Sequence, residues 1–145
     1  MTTQTSTMTY TVSASTRAGG AASVHARTSD IAFDCSAQTG EALPGPADLL
    51  CGALSACILK NVERFSHMLP FRYESASIEV TAEREEPPPR IVRMHYRLRV
   101  ATDEPPARVE LLHKNIRKFG TITNTLAAAC ELTGEIEAVS SGGAP

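Results

Sequence analysis

Apolar and polar residues alternate along much of this chain, and alternation at period two marks strands with one face on a core. Met8, Tyr10, Val12 and Ala14 share one parity. After Ala18-Gly19-Gly20, Ala22, Val24 and Ala26 share one, with Ser23, His25 and Arg27 opposite, which predicts a hairpin with a glycine turn. Past Thr28-Ser29-Asp30 the parity switches, so that Ile31, Phe33 and Cys35 point inward together. A second hairpin is better defined. Ala76, Ile78, Val80 and Ala82 alternate with Ser77, Glu79, Thr81 and Glu83; Glu86-Pro87-Pro88-Pro89 intervenes; then Val92, Met94, Tyr96, Leu98 and Val100 alternate with Arg93, His95, Arg97 and Arg99. One outer face is acidic and its neighbour basic, which predicts cross-strand ion pairs on a solvated surface. A last strand over 131–139 turns Cys130, Leu132, Ile136 and Ala138 inward.

Three segments break the alternation. Residues 106–119 carry Val109, Leu112, Ile116 and Phe119 at helical spacing, with Thr102 or Asp103 as candidate cap and Gly120 just past the end. Residues 121–129 add a short helical piece. From Pro46 to about residue 66 runs a longer helix, its proline near the first turn where a missing N–H does no harm. The first half of this helix is apolar on every side, with only Asp48 and Ser55 polar among Ala47, Leu49, Leu50, Cys51, Ala53, Leu54, Ala56, Cys57, Ile58 and Leu59. A helix apolar all round must be covered all round. One small sheet covers one side, so the other is expected to meet a second copy of the chain in a symmetric dimer.

Length and composition set limits. A chain of 145 residues is the size of one domain, residues 1–145, and buries roughly 68–70% of its unfolded surface. Fourteen basic and sixteen acidic side chains, a formal charge of −2 with no like-charged block, point to neither nucleic acid nor a membrane surface. With no spanning apolar run and no secretory signal, the protein is expected in the cytoplasm. The four histidines are scattered, and no Cys-x2-Cys or His-x3-His pair occurs, so neither a metal nor another cofactor is expected.

The four cysteines, Cys35, Cys51, Cys57 and Cys130, do not make a disulfide framework. Cys35 and Cys130 read as small core residues. Cys51 and Cys57 rise about 9 Å apart along their helix, beyond the roughly 7 Å that a disulfide allows between Cα atoms. Cys57 lies about three turns from the helix start, past the reach of the helix dipole. A cation that favours its thiolate must come from another element, and Arg17, His25 and Arg27 are the nearest offers in sequence.

The run Gly45-Pro46-Ala47-Asp48-Leu49-Leu50-Cys51-Gly52-Ala53-Leu54-Ser55-Ala56-Cys57 resembles the signature of the OsmC/Ohr family, the osmotically inducible and organic hydroperoxide resistance proteins. There a proline precedes the peroxidatic cysteine by eleven residues. The resemblance extends over most of the chain and is closest to the OsmC-like branch in Ile78-Glu79-Val80-Thr81-Ala82-Glu83-Arg84. It implies an α+β fold, with an antiparallel sheet wrapped on a long central helix, and an intertwined homodimer. It also implies a thiol that reduces organic hydroperoxides, with Cys57 as the attacking residue. In the family a second cysteine, opening the motif Cys-Pro-Val-x-x-x-Leu, resolves the oxidised first one. Here that motif falls on Gly120-Thr121-Ile122-Thr123-Asn124-Thr125-Leu126, so the resolving position is Gly120. The glutamate of the Ohr branch corresponds to Ala47, with Asp48 where other branches carry a carboxylate. The arginine after a Gly-Gly pair corresponds to Ala21, leaving Arg17 or Arg27 as substitutes. The expectation is a one-cysteine peroxidase of a small organic hydroperoxide, recycled by an external thiol. The alternatives are a non-catalytic protein that holds a small apolar ligand at the dimer interface, and a peroxidase in which Cys130 or Cys51 resolves Cys57 across the dimer.

Overall fold

The computed structural model describes residues 5–38, 40 and 42–141. The chain divides into two compact units, Met1–Leu49 and Leu50–Pro145. In the first, β1 (Ser13–Thr16), β2 (Ala21–Ala26) and β3 (Ser29–Asp34) form an antiparallel sheet in that order. The strand expected from Met8 is shorter than its alternation. Ser13 already pairs with His25, and β2 ends one residue later, where Arg27 turns the chain with φ of 55°. The residues before Ser13 therefore outrun their partner, and Met8, Tyr10 and Val12 are exposed. Cys35 falls one residue past β3 and is exposed, which corrects the inward position that its parity implied.

The helix α1 (Pro46–Met68) starts at the end of the first unit and runs into the second. It is followed by β4 (Ser75–Glu85), β5 (Arg90–Ala101), α2 (Pro106–Phe119), α3 (Thr121–Ala127) and β6 (Glu131–Val139). The sheet order is β4-β5-β6. The hairpin β4–β5 is antiparallel as expected, but β6 lies parallel to β5, so the antiparallel sheet inferred from the sequence is a mixed one. The reason is the connection. Two helices separate β5 from β6, and a crossover of that length returns the chain to the same end of the sheet. Leu54, Ile58, Val62 and Phe65 of α1 then share one core with Met94, Tyr96, Leu98 and Val100 of β5 and Val109, Leu112 and Ile116 of α2.

On the outer face, Arg93 pairs with Glu83 and, at 3.3 Å, with Glu85. Glu79 stands opposite Arg97 in the ladder, yet Arg97 bonds Glu135 at 2.9 Å and Arg99 bonds Glu137 at 3.5 Å. Of the basic side chains on this face of β5, only Arg93 thus pairs with β4; Arg97, Arg99 and His95 (3.5 Å from Glu135) turn to β6. All of these groups are exposed, so each pair contributes at most about 1 kcal/mol. The predicted cap of α2 also differs. Thr102 Oγ1 donates to the Arg72 carbonyl at 2.6 Å and accepts from Glu104 N–H, and the N-cap is Pro105, with no side-chain hydrogen bond.

A close-packed contact in the second unit joins β5, β6 and α2. Tyr96 pairs with Gly134, and a Cβ on residue 134 would fall 2.0 Å from Tyr96 Cζ; only glycine leaves room for the ring. The Tyr96 hydroxyl meets His113 Nε2 at 2.6 Å, and Arg117 Nη1 donates to the same oxygen at 3.2 Å. Because a guanidinium only donates, the tyrosine proton is left for His113. Burial, reinforced by the Arg117 charge and opposed by Glu110, holds the His113 pKa below its ordinary 6.5. The unfolded chain therefore takes up that proton first as pH falls, and the contribution is complete above about pH 6.5 and lost below it. We predict that the urea midpoint falls between about pH 7.5 and about pH 5.5, and falls less in His113→Phe. Equal falls in both proteins would contradict this placement.

Candidate functional site

The buried residues of α1, Leu54, Ile58, Asn61, Val62 and Phe65, recur at three- and four-residue steps and form one stripe. Cys57 sits at the edge of that stripe, between Leu54 and Asn61, and is half-buried. Gly52, Ala56 and Lys60 lie on the exposed side. At the start of α1, Asp48 accepts a hydrogen bond from Gly45 N–H at 2.9 Å. An acidic side chain in the first turn reaching back to the cap residue is the ordinary way to satisfy an unpaired N–H there.

Two polar atoms face the Cys57 sulfur. Asn61, one turn further along α1, donates from Nδ2 to Sγ at 3.8 Å. From α3, Thr123 Oγ1 lies 4.0 Å from the same sulfur. Asn61 and Thr123 are 7% and 3% exposed, so both hydrogen bonds form away from bulk water. Neither residue is among the candidates read from the sequence. Asn61 has a signal, a polar residue four positions after Cys57 within an apolar stripe. Thr123 lies in the segment that matches the family's resolving motif, but nothing in that match singles it out from Thr121 and Thr125; its approach to Cys57 bridges 66 positions.

Gly120, at the expected resolving position, is both the last cap of α2 and the first of α3, with φ of −78° and ψ of 123°. This is extended backbone, open to any residue, so the glycine is not required there as a left-handed helix stop. What requires it is space. A Cβ at 120 would fall 2.7 Å from Thr123 Oγ1, 3.0 Å from Thr123 Cβ and 3.2 Å from the Ile116 carbonyl. The side chain that approaches Cys57 thus occupies the room that a side chain at 120 would need.

The remaining candidates are placed as follows. Arg17 lies in the β1–β2 turn, its carbonyl accepting Gly20 N–H at 3.0 Å, and Arg27 in the β2–β3 turn, both in the first unit. None of the four cysteines forms a disulfide. Cys130 Sγ donates to the Leu126 carbonyl at 3.4 Å, and Cys51 packs against the core. Among the described residues no three His, Cys, Asp or Glu side chains converge as a metal site, and no helix is long and apolar enough to cross a membrane. We predict that Gly120→Ala destabilises the protein by about 1–3 kcal/mol in urea titration and costs less in a Thr123→Ala background. Equal costs in both backgrounds would contradict the packing described.

Residues 38–135 match the family model of OsmC-like protein. No curated protein sequence matches the chain. Among solved structures, an OsmC-like protein from Mycoplasma pneumoniae superposes with a TM-score of 0.83 at 14% identity, over 91% of this chain and 98% of that one. An organic hydroperoxide resistance protein OsmC from Legionella pneumophila gives 0.73 at 13%, over 90% and 99%. The organic hydroperoxide resistance protein OhrB of Bacillus subtilis gives 0.65 at 14%, over 88% and 98%. At such identities these likenesses speak for the fold, and the family model speaks for descent. By that match and by its α+β architecture, the chain belongs to the OsmC-like protein family.

Proposed function

We propose that this protein reduces small organic hydroperoxides through Cys57 acting as a one-cysteine peroxidase. The observation that carries the reading is a half-buried thiol at the family's reactive position, with polar groups aimed at its sulfur and glycine at the resolving position. Two of the similar structures are organic hydroperoxide resistance proteins, which supports a role in oxidative defence.

The chemistry balances with an external thiol. The Cys57 thiolate attacks the terminal peroxide oxygen, an S–O bond forms as the O–O bond breaks, and the alkoxide leaves as alcohol after taking a proton. Sulfur has then lost two electrons to the peroxide and stands as sulfenic acid. One external thiol condenses with it to a mixed disulfide and water, and a second releases Cys57 as thiol. Arg27 or Arg17 remains the proposed source of a cation that favours the thiolate, with Asp48 as the family's carboxylate. The apolar residues beside Cys57 on α1, Leu54 and Ile58, favour a lipid-like or aromatic hydroperoxide over hydrogen peroxide, which gains little from such neighbours.

A homodimer is part of this proposal. The exposed side of α1 presents Gly52 and Ala56, small residues that permit close helix approach, flanked by half-buried Leu50 and Leu59. Light scattering at micromolar concentration is expected to return twice the chain mass, and a monomer would remove this part. For the reaction itself, consumption of cumene hydroperoxide with a dithiol present is expected to fall in Cys57→Ser to the level of the dithiol alone. Turnover at the wild-type rate would end the peroxidase reading and leave apolar ligand binding as the alternative.

A further inference from the structure

Ser and Thr hydroxyls inside helices usually bond back to a carbonyl of their own helix, and this chain follows that habit with one informative exception. Ser55 donates to the Cys51 carbonyl at 2.9 Å, Ser66 to Glu63 at 2.6 Å, and Thr125 to Thr121 at 2.9 Å. Thr123, two residues before Thr125 on the same helix, bonds across to Cys57 instead. It is also the more buried of the pair, 3% exposed where Thr125 is exposed. Asn61 departs from pattern in the same direction. It is a buried amide within the apolar stripe of α1, and its one side-chain hydrogen bond among the described residues goes to the same sulfur. Burying an amide costs about 1–3 kcal/mol where its partner is missing. Two buried polar side chains from different helices therefore converge on one atom.

The donor chemistry is asymmetric. An amide NH2 only donates, and a hydroxyl can donate whenever its partner accepts. A neutral thiol is a poor acceptor and a thiolate a good one, so donors aimed at sulfur stabilise the charged form over the neutral one. At 3.8 and 4.0 Å both groups lie within reach of the sulfur in its charged form. The Thr123 arm is fixed by its packing against Gly120, where no Cβ leaves room for it.

We propose that Asn61 and Thr123 help to hold the Cys57 thiolate, as two neutral donors supplied from α1 and α3 in addition to the proposed cation. The inference rests on the peroxidase reading for its purpose but not for its test. Because the donors are neutral and buried, their effect is insensitive to salt, unlike that of a solvent-exposed arginine. The absent resolver and the present donor are one arrangement: a cysteine at position 120 and a threonine facing Cys57 from position 123 compete for the same space.

The test is the rate of iodoacetamide alkylation of Cys57, followed against pH by mass spectrometry of its peptide, in wild type, Asn61→Leu, Thr123→Val and Thr123→Ser. Asn61→Leu and Thr123→Val are each expected to lower the rate near neutral pH by about three- to tenfold and move the profile to higher pH, at low and high salt alike. Thr123→Ser, which keeps the hydroxyl, is expected to retain the wild-type profile. Thr123→Val is close to isosteric, so the valine and serine pair decides the matter even where Asn61→Leu does not fold. Unchanged profiles in folded Asn61→Leu and Thr123→Val would overturn the assignment, and so would equal shifts in valine and serine. A parallel cumene hydroperoxide assay on wild type separates the two claims. Displaced profiles without turnover leave the donors and remove the peroxidase, whereas turnover with undisplaced profiles does the reverse.

Discussion

The ring of Tyr96 lying over Gly134 is the constraint from which the second unit is built. It fixes the register of the parallel β5–β6 pair, because no other residue at 134 leaves the ring its place. The Tyr96 hydroxyl then ties α2 to the sheet through His113 and Arg117, and Arg117 also reaches the Leu132 carbonyl at 3.3 Å on β6. With α2 held, its end is held too. Gly120 follows directly, α3 begins at the next residue, and Thr123 arrives at Cys57. A backbone contact on one side of the core thus sets the approach of a hydroxyl to a thiol on the other.

Much of this was legible in the residues alone, and the reason is periodicity. Alternation places β4, β5 and β6 within two residues at each end, and the Val109-Leu112-Ile116 spacing places α2 with both ends as observed. What escaped were relations between segments. A period of two says which residues share a face but not which strand lies alongside, so it does not reveal that β6 runs parallel to β5 or that Arg97 and Arg99 pair with β6. Likewise the parity from Met8 to Val12 describes a strand that β2 is too short to pair. Gly120 caps α2 as its position suggests, but its backbone is extended, and the steric demand for glycine comes from Thr123, three residues on. Phe119, expected inward, is 48% exposed and instead sets its ring 5.7 Å from Phe65.

The candidate site divides along the same line. Cys57 was readable from its setting in α1, and so was the absence of a second thiol at position 120. Asn61 was half-readable, as a polar residue out of place in an apolar stripe. Thr123 could come only from the fold, because nothing local distinguishes it from Thr121 and Thr125. The two side chains hydrogen-bonded to the Cys57 sulfur are uncharged, buried and rooted in separate helices.

Whether Cys57 reacts as a lone thiol is decided by treating the reduced protein with one equivalent of cumene hydroperoxide, trapping sulfenic acid with dimedone, and mapping all four cysteines by mass spectrometry. The expected product carries the dimedone adduct on Cys57, with Cys35, Cys51 and Cys130 recovered as free thiols. A disulfide joining Cys57 to Cys51 or Cys130, or an unmodified Cys57 after the peroxide has been consumed, would contradict the lone-thiol reaction.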